Sequence, residues 1–281
     1  MAFTLDRFDL DAFVRSTLAE DLGDHGDITS DAVIPMEAIF AGVMDSREAI
    51  VVAGLPIAEA VFRTLDPGAD IDCLAAEGER VAPGTNLMRV RGRARALLAA
   101  ERSALNIVQH LSGVATLTRR YVDAIAGTGA ILLDTRKTIP GLRVLEKYAT
   151  RMGGATNHRM RLDDAAMIKD NHVAVAGGVG EAVARAVKAG IGRIIVEVDR
   201  LDQIETAIGA GATHLLLDNM DAATLREAVA IVAGRVPTEA SGGVTLETIA
   251  DKARTGVTYV SVGRITQSAP AADVGLDFAA G

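Results

Sequence analysis

Residues 193–219 read RIIVEVDRLDQIETAIGAGATHLLLDN. A β-branched run at 193–199 is followed by apolar residues at helical spacing over 201–212, and a second apolar run closes the unit at 213–219. Strand, helix and strand in that order form one βαβ unit, in which the two strands run parallel. The same alternation extends outward in both directions. Further short runs stand at 130–135, 156–160, 165–171, 237–243 and 259–264, and further helical patterns at 179–190, 221–234 and 245–256. The last two helical patterns end in Gly, the preferred residue just past a helix.

Polar residues collect at the C-terminal end of each run: Asp134 to Lys137, His158 and Arg159, Lys169 to Asn171, Glu197 and Asp199, Asp218 and Asn219, Glu239 and Ser241, Gly263 and Arg264. A closed parallel barrel brings all such ends to one face, where barrel enzymes keep their chemistry. An open doubly wound sheet gathers ligands only at its switch point and has less use for polar residues on every strand. Seven runs rather than eight predict an incomplete, TIM-like α/β barrel. The tail after Arg264 is too short for another βα unit and is expected to return to the N-terminal domain. The first hundred residues, with turn signals at 66–70, 77–85 and 90–95, read as a mixed α/β domain. Residues 96–127 carry helical spacing without proline and read as one or two helices leading out of it.

Composition narrows the function. Aromatic residues make up 3% with no Trp, too few to stack bases, and a net charge of −8 repels phosphate backbones globally. No nucleic-acid partner is expected. A single cysteine, Cys73, excludes an intrachain disulfide and a cysteine-rich metal site. The longest apolar runs fall far below the roughly 18 residues that span a bilayer, so no membrane partner is expected. The opening MAFTLDRFDLDAF is acidic where a signal peptide is basic and apolar, which makes the expected location cytoplasmic.

Within this acidic chain, residues 136–169 reverse the sign. Arg143, Lys147 and Arg151, at i, i+4 and i+8, read as a solvated helix face. Arg136, Lys137, Arg159 and Lys169 sit instead at run ends and read as a polyanion site, since Arg forks match carboxylates and phosphates while Lys serves as a point charge. Glu197 and Asp218, at the next two run ends, suit a hydrated Mg2+ coupled to substrate phosphate, or ribose hydroxyls, with salt bridges to the basic cluster as the plain alternative. Ser241, Gly242 and Gly243 stand before the predicted helix 245–256, where backbone N–H groups favour a phosphate. His158 reads either as a buried hydrogen-bonded ring or as part of a polar site, and His110 as structural. Arg102 reads, on pattern alone, as a helix-surface charge.

The strings LDTRKTIPGLRVLEKYA, GGATNHRMRLDDAAMIKDNH, VEVDRLDQIETAIGAGATHLLLDNM, EASGGVTLETIA and TGVTYVSVGRITQSAP closely resemble the quinolinate phosphoribosyltransferase family. The likeness continues upstream through LAEDLGDHGDIT, AGLPIAEAVF and ERSALNIVQHLSGVAT and so covers essentially the whole chain. The resemblance implies an N-terminal α/β sandwich domain, residues 1–115 completed by the tail 265–281, and a catalytic barrel over 116–264. It also implies a homodimer with shared active sites, with a hexamer as the larger alternative. The implied reaction joins quinolinate to 5-phosphoribosyl 1-pyrophosphate with Mg2+, giving nicotinic acid mononucleotide, pyrophosphate and CO2.

Carried onto this sequence, the resemblance implies that Arg136, His158, Arg159 and Lys169 hold the quinolinate carboxylates, with Thr135 alongside and Arg102 supplied by the partner subunit. Lys137 would reach the phosphates, and Glu197 and Asp218 the ribose hydroxyls and metal. Ser241, Gly242 and Gly243, with Val262, Gly263 and Arg264, would cradle the 5-phosphate. Lys137, Lys169, Glu197 and Asp218 form the implied catalytic set. Two positions depart from the family pattern: Gln267 replaces a frequent His, and Arg264 a small or apolar residue. Two rival readings of the same residues are a barrel lyase forming a Schiff base on Lys169 and an oxyanion-binding relative of the molybdenum-transport-associated type. A nicotinate phosphoribosyltransferase is a nearer alternative, against which the extra cations suit a second carboxylate.

Overall fold

The computed structural model describes residues 5–278, so the first four residues of the acidic N-terminus and the last three of the tail lie outside the description. The chain divides into two compact units, one of residues 1–117, 144–154 and 268–281, the other of residues 118–143 and 155–267.

The first unit opens with α1 (Leu10–Leu22) and α2 (Ile28–Val33), each started by an aspartate. The Asp9 carboxylate accepts the Ala12 N–H at 2.8 Å, and Asp27 accepts those of Thr29 and Ser30, satisfying donors that a helix start leaves unpaired. Then follow β1 (Ile39–Ser46), β2 (Ile50–Val51), α3 (Leu55–Leu65), β3 (Asp70–Cys73), β4 (Arg80–Val81) and β5 (Asn86–Arg93). β1 alternates buried and less buried residues, as a strand packed on one face does. The span expected to hold one or two helices is the single α4 (Ala94–Ala124). Its Ser112 and Thr116 hydroxyls accept the N–H groups of Ala53 and Val51, so the helix closes backbone bonds at the end of β2 and just beyond it.

Helix α5 (Arg143–Met152) belongs with the first unit over 144–154, within the span that the sequence reading gave to the barrel. It also corrects the solvated-face reading of Arg143, Lys147 and Arg151. Lys147 is completely buried, Arg143 is half-buried and donates to the Thr138 hydroxyl and the Met160 carbonyl, and only Arg151 is exposed. The physical reason is that α5 buries polar groups in pairs, which charge spacing cannot register. Glu146 meets His110 Nε2 at 3.0 Å, and the Tyr148 hydroxyl donates to Glu77 at 2.5 Å. Glu77 in turn accepts the N–H groups of Gly54 and Leu55, capping α3 where Gly54 offers no side chain. Burial raises the Glu77 pKa against the opposing pull of these hydrogen bonds.

The second unit holds β6 (Ile131–Leu133), β7 (Ala166–Ile168), α6 (Asp170–Ala176), α7 (Val179–Lys188), β8 (Ile194–Val198), α8 (Asp202–Ala210), β9 (His214–Asp218), α9 (Ala222–Val232), β10 (Thr238–Ser241), α10 (Ile249–Ala253), β11 (Tyr259–Ser261) and α11 (Arg264–Gln267). Its strands form one parallel sheet in the order β6-β11-β10-β9-β8-β7. The βαβ repeat read from 193–219 is thus β8, α8 and β9. Three expectations differ in detail. The run at 156–160 contributes only an isolated parallel bridge, Thr156 to Leu133, because the next residues turn their polar groups to Asp134. The run at 165–171 is a strand only to Ile168, and α6 starts at Asp170. The helix expected at 245–256 is the short α10, preceded by a turn in which Thr245 and Thr248 bond each other.

The tail returns to the first unit as expected. Its strand β12 (Val274–Phe278) pairs antiparallel with β1, completing a sheet of order β12-β1-β5-β3. On the way it is tied to α4: Gln109 donates to the Val274 carbonyl at 2.8 Å, and the Ala272 N–H donates to the Gln109 carbonyl at 2.9 Å. Among the described residues, no helix is long and apolar enough to cross a membrane.

Gly113 makes this docking possible, since a Cβ there would stand 2.0 Å from the Pro270 carbonyl oxygen. Gly113→Ala is expected to destabilise the protein by about 1–3 kcal/mol, the usual penalty of overpacking. Thermal unfolding measures the loss. Hydrogen exchange should quicken at Val274–Phe278 while β8 and β9 keep their protection, and unchanged exchange in the tail would refute the account.

Candidate active site at the strand ends

Because the strands of the second unit are parallel, the residues after them share one edge of the sheet. Asp134, directly after β6, is fully buried and accepts from Asn157 Nδ2 at 2.5 Å and from the His158 N–H at 2.8 Å. It therefore ties the segment 157–159 beside β6, where no ladder would hold it. Thr135 accepts the Lys137 N–H at 3.0 Å, and the Lys137 carbonyl accepts the Thr266 hydroxyl at 2.6 Å. Gly263 lies against the same group, since a Cβ on it would be 2.7 Å from Lys137 Cδ. Thr135, Lys137 and Gly263 are thus brought together.

Arg136 and Arg159 form the most polarised feature of the edge. The Nε atoms of both are buried and lack a hydrogen-bond partner, while Arg159 Nη1 donates to the Ala165 carbonyl at 2.9 Å. Burial lowers the Arg159 pKa, and the charge of Arg136 lowers it further. Two cations that repel one another, each with a buried unsatisfied N–H, leave a charge deficit that an anion would fill.

Lys169 and Glu197 pair with each other, Nζ to Oε2 at 2.5 Å, the salt bridge weighed as the plain reading. Lys169 also starts α6, its N–H donating to His172 Nδ1 at 3.1 Å. Asp218 accepts from Asn219 Nδ2 at 2.6 Å and lies in register with Ser241 across β9 and β10. Asn219 has φ of 54° and Gly242 has φ of 86°, and a Cβ on Gly242 would meet Asn219 Oδ1 at 2.1 Å. Only glycine fits there. The glycine pair does not lead straight into a helix, so a phosphate there would rest on loop backbone and the Ser241 hydroxyl.

Other expected residues lie in the sheet or at the surface. Val262 is buried and its N–H donates to the Leu133 carbonyl, so that N–H is not available to a phosphate. Arg264 and Gln267 are exposed, and so is Arg102, on the part of α4 that belongs to the first unit. Among the described residues, no group of three or more His, Cys, Asp and Glu could hold a metal ion, so Glu197 and Asp218 offer two carboxylates and no closed cage.

His158 differs most from expectation. Its Nδ1 accepts the Arg159 N–H at 2.7 Å, and its Nε2 faces Glu239 Oε2 at 3.3 Å. His214 Nε2 approaches the same oxygen at 3.0 Å. Nδ1 is thus taken by the backbone, while Nε2 is buried near the Glu239 carboxylate without a hydrogen bond to it. Sequence reasoning had Glu239 among the run-end polar residues but gave it no role, and it missed His214. The one signal available was a histidine opening an otherwise apolar run, THLLLDN.

Comparison with known proteins gives a consistent neighbourhood. Residues 27–112 match the family model "Quinolinate phosphoribosyl transferase, N-terminal domain", and residues 114–277 match the corresponding C-terminal domain. A nicotinate-nucleotide pyrophosphorylase [carboxylating] of Mycobacterium leprae is 44% identical over 271 residues, covering 94% of this chain and 95% of the relative. A mitochondrial quinolinate phosphoribosyltransferase [decarboxylating] 2a of Nicotiana tabacum is 39% identical over 289 residues, covering 96% of this chain and 82% of that protein. The solved nicotinate-nucleotide pyrophosphorylase of Francisella tularensis superposes with a TM-score of 0.92 at 38% identity, covering 96% of each chain.

Gly242 and Gly243 separate two effects. Both have positive φ, but a Cβ on Gly243 meets nothing within 4 Å. Gly243→Ala should carry only backbone strain, about 1 kcal/mol, whereas Gly242→Ala should add the collision with Asn219 and destabilise by roughly 2 kcal/mol or more. Denaturant unfolding of the two variants tests the order, and equal losses would show that Asn219 yields.

Proposed function

The chain belongs to the quinolinate phosphoribosyltransferase family, and we propose that its strand-end residues perform that family's reaction in the roles set out here. The enzyme transfers the phosphoribosyl group to quinolinate with decarboxylation, a step of NAD biosynthesis. The observation that carries the assignment of the site is the Arg136–Arg159 pair, whose Nε atoms are both buried without a hydrogen-bond partner. A pyridine dicarboxylate supplies two fixed anionic forks at short separation, which such a pair matches bidentately.

Lys169 adds a third cation, with Thr135 beside the ring. Lys137 and the Ser241–Gly243 loop, with Gly263 and Arg264, take the phosphates of the sugar. Glu197 and Asp218 take the ribose hydroxyls. Glu197 and Asp218 are two carboxylates without a cage, which suits Mg2+ brought in by the pyrophosphorylated sugar; they would hold the ion there, and it would supply charge neutralisation for the leaving pyrophosphate. In this reading Glu197 stabilises the oxocarbenium-like ribose left as pyrophosphate departs, and the cations hold the pyridine nitrogen in line for attack. Decarboxylation then needs positioning and charge complementarity, with no covalent nucleophile. Lys169 Nζ is engaged by the Glu197 carboxylate, which works against its use as a Schiff-base nucleophile.

The site reads as incomplete without a second subunit, since a dicarboxylate and a pyrophosphorylated sugar together need about five cations. The exposed Arg102 is assigned to the partner's site in a homodimer, within which a hexamer is compatible. The strand order β7 to β11 followed by β6 and the Thr156 bridge supports a barrel left open between 156 and β7. The assigned location is the cytoplasm.

Incubating the protein with quinolinate, the pyrophosphorylated sugar and Mg2+ should yield the mononucleotide and quinolinate-dependent CO2, and no product would overturn the reading. Arg159→Ala should weaken quinolinate binding by about 2 kcal/mol or more, roughly thirtyfold, and leave binding of the sugar within twofold. Calorimetric titration decides, and near-normal quinolinate affinity would remove Arg159 from the carboxylate site. Inactive Arg102→Ala and Lys169→Ala proteins, mixed and verified as heterodimers, should regain one working site per dimer. Verified heterodimers without activity would refute the shared site.

A further inference from the structure

Behind the anion-binding residues lies a set of ionisable side chains that the proposed chemistry does not use. Glu239 on β10 is 1% exposed, and His214 on β9 and His158 are each 5% exposed. One carboxylate oxygen, Glu239 Oε2, lies 3.3 Å from His158 Nε2 and 3.0 Å from His214 Nε2, within ion-pair distance of both but aligned for a hydrogen bond with neither. The His214 ring stacks on Tyr259 of β11, with centroids 5.5 Å apart and planes 15° from parallel. Neighbouring strands therefore fix His214 beside the carboxylate, while His158 is held there by its N–H on Asp134.

The other end of the chain of contacts sets a proton. His158 Nδ1 accepts the Arg159 N–H at 2.7 Å, and a ring nitrogen that accepts a hydrogen bond carries no proton. The single ring proton then lies on Nε2, facing Glu239, and the ring is neutral. We propose that Glu239 and His214 are positioning residues for quinolinate binding: they hold His158 as the neutral Nε2–H tautomer, and that ring, through the Arg159 N–H, fixes where Arg159 presents its guanidinium. The substrate named here rests on the family reading above.

Electrostatics favour this arrangement. An imidazolium at 158 would put a third buried positive charge beside Arg136 and Arg159, which already repel each other. The groups acting on Glu239 are His158, His214 and the Ser261 side chain. Burial works to raise the Glu239 pKa, while the polar contacts of His158, His214 and Ser261 lower it and favour the carboxylate. An anion can serve two N–H donors at once. A glutamine there has one acceptor oxygen, and its NH2 group would confront the other histidine's proton.

Two measurements test the proposal. In the first, two-bond 1H–15N spectra of the unliganded, histidine-labelled protein at pH 7 report each ring's tautomer, with His158 assigned by signal loss in His158→Gln. The expected pattern is a protonated Nε2 and a bare Nδ1, whereas a proton on Nδ1, alone or with Nε2, overturns the proposal. In the second, Glu239→Gln should raise the KM for quinolinate about tenfold, change kcat less than threefold and leave the KM for the pyrophosphorylated sugar within twofold. Glu239→Asp should restore part of the quinolinate affinity, and His214→Gln should reproduce the split in milder form. Wild-type kinetics in Glu239→Gln, or equal damage to both substrates, would reduce the network to scaffolding. If Glu239→Gln does not fold, the first measurement and His214→Gln still decide. A wild-type protein that makes no mononucleotide would sink the family reading, while the tautomer measurement, made without substrate, would stand or fall separately.

Discussion

Everything at the site follows from one constraint: a parallel sheet delivers the end of every strand to the same edge. Charges separated by tens of residues in the chain become neighbours there, and a low-dielectric setting magnifies both attraction and repulsion among them. The second unit answers by settling most of its charges internally. Asp134 is surrounded by donors from 157 and 158, Lys169 pairs with Glu197, and Glu239 lies between two histidines. Among the cations at that edge, Arg136 and Arg159 keep buried Nε groups without a partner. On the proposed reading, selectivity for anions arises from those two groups and not from the net charge of the chain, which is negative.

The same economy governs the backbone. Where a strand would normally be held by its ladder, 157–159 is held by one carboxylate. Where a phosphate loop could have leaned on a helix, the turn after β10 leans on Asn219 and on two glycines in the left-handed region. These are local devices, each with few alternatives. Hence Gly242 tolerates no side chain, and Val262 gives its N–H to the sheet instead of to a ligand.

Much of this was legible in the sequence because alternation of apolar runs with helical spacing is a local property. RIIVEVD, the helix after it and THLLLDN name their elements without knowledge of anything distant. Arg136, Arg159, Glu197 and Asp218 could be chosen because their positions at run ends have a geometric meaning. Lys147 could not be read correctly, since its spacing with Arg143 and Arg151 mimics a wet face and its burial depends on elements far along the chain. Helix α6 was hidden because DNHVAVA is too short to display a period. The role of His158 was hidden for a different reason: which nitrogen carries a proton depends on partners at 159 and 239, and sequence spacing says nothing of either.

The return of β12 to β1 has a consequence for how the protein is made. Arg47 and Asp277, paired across that seam, are 230 residues apart, so the unit begun first on the ribosome is the one completed last. Until the tail emerges, β1 presents an open edge, the kind of template on which newly made chains pair wrongly. Domain-by-domain folding during synthesis cannot protect it, because the whole second unit is translated in between. The nascent first unit is therefore exposed to misassociation for the time needed to synthesise nearly the rest of the chain, and the burden of guarding that edge falls on chaperones or on the speed of translation.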